Sequence, residues 1–191
     1  MAETLGLGVD LGGTKIEACA LGPDGAPRAR RRVPAPAGGY AAVVRAVAGL
    51  VQAVEAEAGG AAAPGIGVGI PGSPGPATGR VRNANATALN GRPLGADLEA
   101  ALARPVRLAN DANCFALAEA REGAGRGAET VLGLILGTGA GAGIAVGGRV
   151  LEGRNRIAGE WGHTPLPAPR AAERPGPLCW CGRRGCAEAW I

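Results

Sequence analysis

Thr4-Leu5-Gly6-Leu7-Gly8-Val9-Asp10-Leu11-Gly12-Gly13-Thr14-Lys15-Ile16-Glu17-Ala18-Cys19-Ala20-Leu21 is the stretch that decides the fold. Residues 4–10 predict a buried strand that ends in an acid. Gly12-Gly13 predicts a tight turn, and residues 15–21 a second strand. Gly22-Pro23-Asp24-Gly25 turns the chain again into a third strand near 27–34, so the chain opens as a meander rather than a strand–helix crossover.

Outward from that stretch the period changes. Val43, Val44, Val47, Leu50, Val51 and Val54 fall at helical spacing and predict a helix over 40–57. Ile66–Ile70 predicts a short buried strand stopped by Pro71-Gly72-Ser73-Pro74. A helix is expected over 94–103, a strand over 106–109 and a helix over 112–122. Strands alternating with helices define an α/β domain with parallel pairing, residues 1–124. Residues 125–191 predict a second α/β domain of the same layout. It has a strand at 131–136, a glycine turn at Gly137-Thr138-Gly139-Ala140-Gly141, a strand at 144–150 and a proline-rich loop over 164–178. A second domain of this length without its own helix cannot cover its sheet, so it is expected to be truncated relative to a complete fold.

The 191 residues can bury a real core, and at 3% aromatic content that core must be aliphatic and built of small residues. No apolar run reaches membrane-spanning length, and no basic-then-apolar leader opens the chain, so a soluble cytoplasmic protein is expected. Five cysteines in such a chain predict thiols or metal ligands rather than disulfides. The net charge is +4, and Arg28, Arg30, Arg31 and Arg32 form the one dense basic run. No aromatics interleave with it, which predicts a solvated strand edge rather than a nucleic-acid face. Of the 20 cationic side chains only Lys15 is lysine. A flexible point charge at that position suits a phosphate.

Asp10–Lys15 can offer backbone N–H groups and the Thr14 hydroxyl to a phosphate, with Asp10 holding Mg²⁺ through water and Lys15 neutralising charge. A plain hairpin is the competing reading. No Walker sequence is present. Gly67-Val68-Gly69-Ile70-Pro71-Gly72 matches a dinucleotide fingerprint only in its glycines, because prolines follow where a helix should open. Asn110-Asp111 lies between a strand and a helix, where an Asp can take a proton from a substrate hydroxyl. The same two residue types are the ones a helix N-cap prefers. Asn83, Asn85 and Asn90 are amides for sugar hydroxyls or, equally, turn residues. The lone histidine, His163, precedes Cys179-Trp180-Cys181-Gly182-Arg183-Arg184-Gly185-Cys186. Three thiols and one imidazole match a closed tetrahedral zinc site; unliganded buried thiols are the alternative. Cys19 and Cys114 are expected to be ordinary core residues. Glu160 and Glu188 bracket the array as candidate fixed acids.

In this order the pieces resemble the ROK family of sugar kinases. The resemblance rests on Asp10–Lys15, Asn110-Asp111, Gly137–Gly141, Glu160–His163 and Cys179–Glu188. It implies an actin/hexokinase-like (ribonuclease H-like) pair of α/β domains closing on ATP and a hexose, with Asp111 as general base. It assigns sugar contacts to Gly72, Asn85, Asn110, Asp111, Glu160, His163 and Glu188. It assigns phosphate contacts to Gly8, Asp10, Gly12, Gly13, Thr14, Lys15, Gly137, Thr138, Gly139 and Gly141. It implies structural zinc on His163, Cys179, Cys181 and Cys186, Mg²⁺ with the nucleotide, and a homodimer for the full-length protein. The wording around Arg82–Gly91 and Ala158–Pro167 is most similar to bacterial fructokinases, with N-acetylglucosamine kinases and glucokinases near. Family chains run longer, so a fragment of this length is expected to turn over poorly alone. A non-catalytic zinc-containing sugar-binding or regulatory protein is the rival of another class. The repressors of the family carry a helix-turn-helix before the first turn, which here starts ten residues from Met1, so an operator-binding protein is not expected.

Overall fold

The computed structural model describes residues 6–59, 62–137 and 139–191; Thr4, Leu5 and Thr138 lie outside the described residues. The chain divides into two compact units, Met1–Asp111 and Ala112–Ile191.

In the first unit β1 (Gly6–Leu11), β2 (Lys15–Leu21) and β3 (Pro27–Pro34) form the expected antiparallel meander. After α1 (Gly39–Ala58), β4 (Ile66–Ile70) returns parallel to β1. A two-residue ribbon of β5 (Ser73–Pro74) and β6 (Val81–Arg82) and the helix α2 (Leu94–Leu102) follow, and β7 (Val106–Asn110) lies parallel to β4. The sheet order is β3-β2-β1-β4-β7. Strict alternation buries Leu7, Val9 and Leu11, then Ile16, Ala18 and Ala20, then Ile66, Val68 and Ile70 on one face. Val43, Val47, Leu50, Val51 and Val54 of α1 and Leu94, Leu98 and Leu102 of α2 join the same core. Each such side chain contributes about 1.5–3 kcal/mol on burial. The core is aliphatic, as the composition requires. Contrary to the count of apolar runs, α1 is long and apolar enough by composition to cross a membrane. Val43, Val47, Val51 and Val54 on one side of it are buried in the core of the first unit.

The basic run on β3 is largely neutralised within its own unit. Arg30 and Arg32 both pair with Glu17 across the strand, Arg31 pairs with Glu57, and Arg28 with Asp24. That is the solvated edge the sequence suggested.

Glu55, on the last turn of α1, receives two N–H bonds from Arg104 at 2.5 and 2.9 Å and one from the Ala63 backbone at 3.2 Å. Both side chains are mostly buried, at 13% and 19% exposure. The Arg104 hydrogen bonds hold the Glu55 carboxyl below its ordinary range. A depressed folded-state pKa stabilises above the unfolded value and loses that contribution as pH falls through the folded value. Glu55→Gln is therefore expected to cost about 1–3 kcal/mol at pH 7. In urea titrations the gap to the unaltered chain should close as pH drops below about 4. A gap that persists at low pH would assign the loss to packing instead.

The second unit holds α3 (Asp111–Arg121) from its second residue, Ala112, onward, followed by β8 (Thr130–Leu136), β9 (Ala140–Val146) and β10 (Arg149–Val150) in one antiparallel sheet. The expected boundary at 124/125 differs from the observed one at 111/112 because α3 packs on this sheet. Gly133 and Gly143 sit directly opposite each other on β8 and β9. A Cβ on Gly133 would lie 2.9 Å from the Phe115 ring, and one on Gly143 would lie 2.6 Å from the Ala112 carbonyl carbon. The paired glycines make a bare patch that seats the helix. α3 buries Ala112, Asn113, Ala116 and Ala120, so Cys114 falls on the outer face and is exposed, while Cys19 is half-buried. Neither is the core thiol expected. The strand expected at 144–150 is two strands. Gly147 and Gly148 both have positive φ (55° and 69°) and make a two-residue hairpin turn between Val146 and Arg149. β9 begins earlier, at Ala140, which puts Gly141 in the strand rather than the turn. On the face of β8 away from α3, Leu132, Leu134 and Leu136 are 52–62% exposed. Beyond β10 the described chain has only short 3₁₀ turns, at 161–163, 171–173 and 187–190.

Candidate functional site

The candidate residues fall into two sets, one in each unit. In the first unit, β1, β4 and β7 run parallel, so their carboxyl ends share one edge, where α/β sheets bind ligands. Asp10 pairs with Gly69 and Ile70 with Asn110. Asp10, Gly72, Asn110 and Asp111 are thereby gathered along that edge.

The first glycine turn closes with Gly12 N–H donating to the Lys15 carbonyl and Ala35 N–H to the Thr14 carbonyl, both at 2.9 Å. Thr14 and Lys15 are exposed. Gly8 is mid-strand, paired with Cys19 and Gly67. Asn85 approaches the turn: a Cβ on Gly13 would be 3.8 Å from its Oδ1. An adjacent cavity of about 250 Å³ is lined by Gly12, Gly13, Asn85 and Thr87 among others. Asn90 is a turn residue. Its amide donates to the Ala84 carbonyl and accepts from the Ala84 N–H, both at 2.9 Å. Asn83 sits in the left-handed region (φ 56°), where Asn is tolerated.

Gly72 has φ 77°, and a Cβ there would lie 2.7 Å from the Ala84 nitrogen, so only glycine fits. Its carbonyl accepts from Asn110 Nδ2 at 3.0 Å. The same amide donates to Asp111 Oδ1 at 3.1 Å. With both of its N–H bonds committed, Asn110 fixes the Gly72 carbonyl and the Asp111 carboxylate together. Asp111 is the first residue of α3.

In the second unit, Gly159-Glu160-Trp161-Gly162-His163 lies against β9. A Cβ on Gly159 would be 2.9 Å from the Ala142 carbonyl carbon, and one on Gly162 equally close to that of Ala140. The glycines at i and i+3 let this segment touch alternate β9 residues, and that contact sets where Glu160 and His163 stand. The sequence carried this signal in the glycine spacing.

His163, Cys179, Cys181 and Cys186 each offer one ligand atom, and all four lie within 4.8 Å of one another. Cys181 Sγ is 3.7 Å from Cys186 Sγ, and Cys179 Sγ is 3.5 Å from His163 Nδ1. Zinc–sulfur bonds of about 2.3 Å at tetrahedral angles require S···S separations of about 3.8 Å. The donor set therefore fits a tetrahedral zinc ion. Positive φ at Gly182 and Gly185 makes the bends, and Cys179 N–H closes the knuckle on the Arg183 carbonyl at 2.8 Å. Burial pushes the Cys186 thiol up to about 11, while the Arg183 backbone N–H holds Cys181 below its ordinary range. The Trp180 ring meets His163 edge-on with centroids 4.9 Å apart, and its Nε1–H donates to Glu188 Oε1. Trp180 was not singled out by its sequence context. Gly137 and Gly139 flank Thr138 in the second turn, and Gly137 N–H donates to the Gly139 carbonyl at 2.9 Å.

The match to known proteins covers both sets. The ROK family model spans residues 6–191, and the chain belongs to the ROK family. It is similar to an N-acetyl-D-glucosamine kinase of Vibrio cholerae, 43% identical over 189 residues, covering 96% of this chain and 62% of that protein. Among solved structures, the ROK hexokinase from Thermus thermophilus is 39% identical with a TM-score of 0.79, covering 97% of this chain and 59% of the other. A ROK glucokinase from Streptomyces griseus, solved with glucose and AMPPNP, is 33% identical with a TM-score of 0.84, covering 98% and 57%. The chain thus spans about three fifths of the length of these relatives.

Proposed function

We propose that this chain carries the sugar-binding and phosphoryl-transfer machinery of a cytoplasmic ATP-dependent hexose kinase. The observation that supports it most is the convergence of Asp10, Gly72, Asn110 and Asp111 on one strand edge in a chain of the ROK family. Asp111 takes the proton from the attacking hydroxyl. Asn110 aims its carboxylate, and Gly72, Asn85, Glu160, His163 and Glu188 hold the sugar. The two glycine turns hold the phosphates, with Thr14 and Lys15 on the first and Thr138 on the second. Asp10 would hold Mg²⁺ through water, and the ion supplied with ATP would neutralise charge on the phosphates.

Zinc on His163, Cys179, Cys181 and Cys186 supplies a rigid clamp. With Nδ1 turned to the thiols, His163 keeps Nε2 for a sugar hydroxyl. As for the hexose, the motif wording favours fructose, whereas the relatives reported above are named for N-acetyl-D-glucosamine and glucose. We place N-acetylglucosamine and glucose ahead of fructose, with fructose next. ADP release with each of the three sugars, on this chain and on a chimera supplying the rest of a relative's length, tests the reading. At least a tenfold kcat/KM preference for one of the first two is expected. A preference for fructose of that size would restore it to first place, and absence of turnover with every hexose in the chimera would favour a non-catalytic sugar-binding role.

A further inference from the structure

The Glu188 carboxylate is held at both oxygens. Oε2 accepts the Ala140 backbone N–H at 2.9 Å, and Oε1 accepts Trp180 Nε1–H and lies 3.9 Å from Cys179 Sγ. Ala140 is the first residue of β9, directly after the second glycine turn, while Trp180 and Cys179 belong to the metal segment. Gly139 makes room for the contact, since a Cβ there would lie 2.7 Å from Oε2. One side chain therefore ties the cysteine knuckle to the turn.

We propose that Glu188 is a positioning residue through which metal occupancy of His163, Cys179, Cys181 and Cys186 orders the backbone at Ala140, the first residue of β9. The proposal rests on the metal reading of those four residues and deepens it. A bound metal fixes Cys179 and the knuckle, the knuckle fixes Trp180, and Trp180 fixes the carboxylate that receives Ala140 N–H. The bond to Ala140 is charge-assisted, which makes it stronger than a neutral one. When Cys179 is a metal-bound thiolate it has no proton to donate, so one lone pair on Oε1 is available to a hydroxyl. The strut is thus compatible with a sugar contact by the same residue.

The test is amide exchange at Ala140 in the 191-residue chain, zinc-loaded and chelator-stripped, with zinc stoichiometry measured alongside. In the unaltered chain, zinc should slow Ala140 exchange about tenfold or more. Glu188→Ala should retain one zinc per chain and exchange rapidly at Ala140 with or without it, while Ile144 in mid-strand is unchanged. Gly139→Ala leaves every ligand intact and displaces the carboxylate, and it should give the same result if Glu188→Ala fails to fold. The proposal is overturned if zinc leaves Ala140 exchange unaffected in the unaltered chain, or if either variant keeps the full zinc effect. A chain with no zinc by stoichiometry fails the metal reading itself and the coupling with it, and that failure is read independently of exchange.

Discussion

Asp111→Asn is expected to lower the rate of ATP-dependent hexose phosphorylation by about 10²–10⁴, equivalent to about 3–5.5 kcal/mol of transition-state stabilisation. The substitution is almost isosteric, and the new side chain can keep its carbonyl oxygen toward Asn110 Nδ2, now 3.1 Å from the carboxylate. Folding and sugar affinity should therefore change little. What the amide loses is the capacity to take a proton from the attacking hydroxyl. The informative measurement is turnover and sugar binding on the same preparation, in the chimera that supplies the rest of a relative's length. A fall in kcat with sugar affinity within a few-fold is the expected pattern. Loss of affinity with kcat preserved would make Asp111 a binding residue, and unchanged turnover would leave only its place at the start of α3. Asn110→Ala is the complement. It releases both the Gly72 carbonyl and the Asp111 carboxylate, so it should impair binding and rate together.

Much of this arrangement was legible in the sequence because its signals are local. The period-two burial of Leu7, Val9 and Leu11 and the helical spacing of Val43, Val47, Leu50, Val51 and Val54 each sit within one element, and both elements formed where expected. The candidate metal ligands could be grouped because three of them lie within eight residues. What the sequence hid depends on contacts between elements. Gly141 reads as a turn glycine, yet it lies in β9, where Gly143, two residues on, clears the way for α3. The same packing moved α3 into the second unit and turned Cys114 outward. Asn83, Asn85 and Asn90 were indistinguishable as residue types; only the fold shows Asn90 clamped on Ala84 and Asn85 beside Gly13. Glu188 was visible as an acid near the cysteines, but its hold on Ala140, 48 residues away, was not.

Cys186→Ser is expected to abolish stoichiometric zinc binding and to unfold the segment from about Gly159 onward while the first unit stays folded. The reason is the distribution of apolar burial. The principal core cluster runs from Leu7 to Val106, wholly within the first unit. Between residues 151 and 191 the buried side chains are few, among them Cys179, Cys186 and Ala187, and two of those three are candidate ligands. A segment without an apolar core needs a staple, and structural zinc supplies about 10–16 kcal/mol of apparent binding energy in small domains of this kind. At a free-metal level about 1,000 times the dissociation constant, linkage alone stabilises the bound form by about 4 kcal/mol. Serine keeps the size of Cys186 but is a poor zinc ligand, so the loss follows from coordination rather than packing. Metal analysis, with exchange mapped along the chain, checks the prediction. Amides of 160–191 should lose protection in the variant, and those of β1, β4 and β7 should keep it. Cys114→Ser, at an exposed thiol outside the cluster, serves as the control and should bind zinc normally. One zinc per chain retained in Cys186→Ser would remove Cys186 from the ligand set. Full protection of 160–191 in a zinc-free chain would show that hydrogen bonds such as Leu166 N–H to the Gly185 carbonyl and Ala187 N–H to the Thr164 carbonyl suffice to hold the segment.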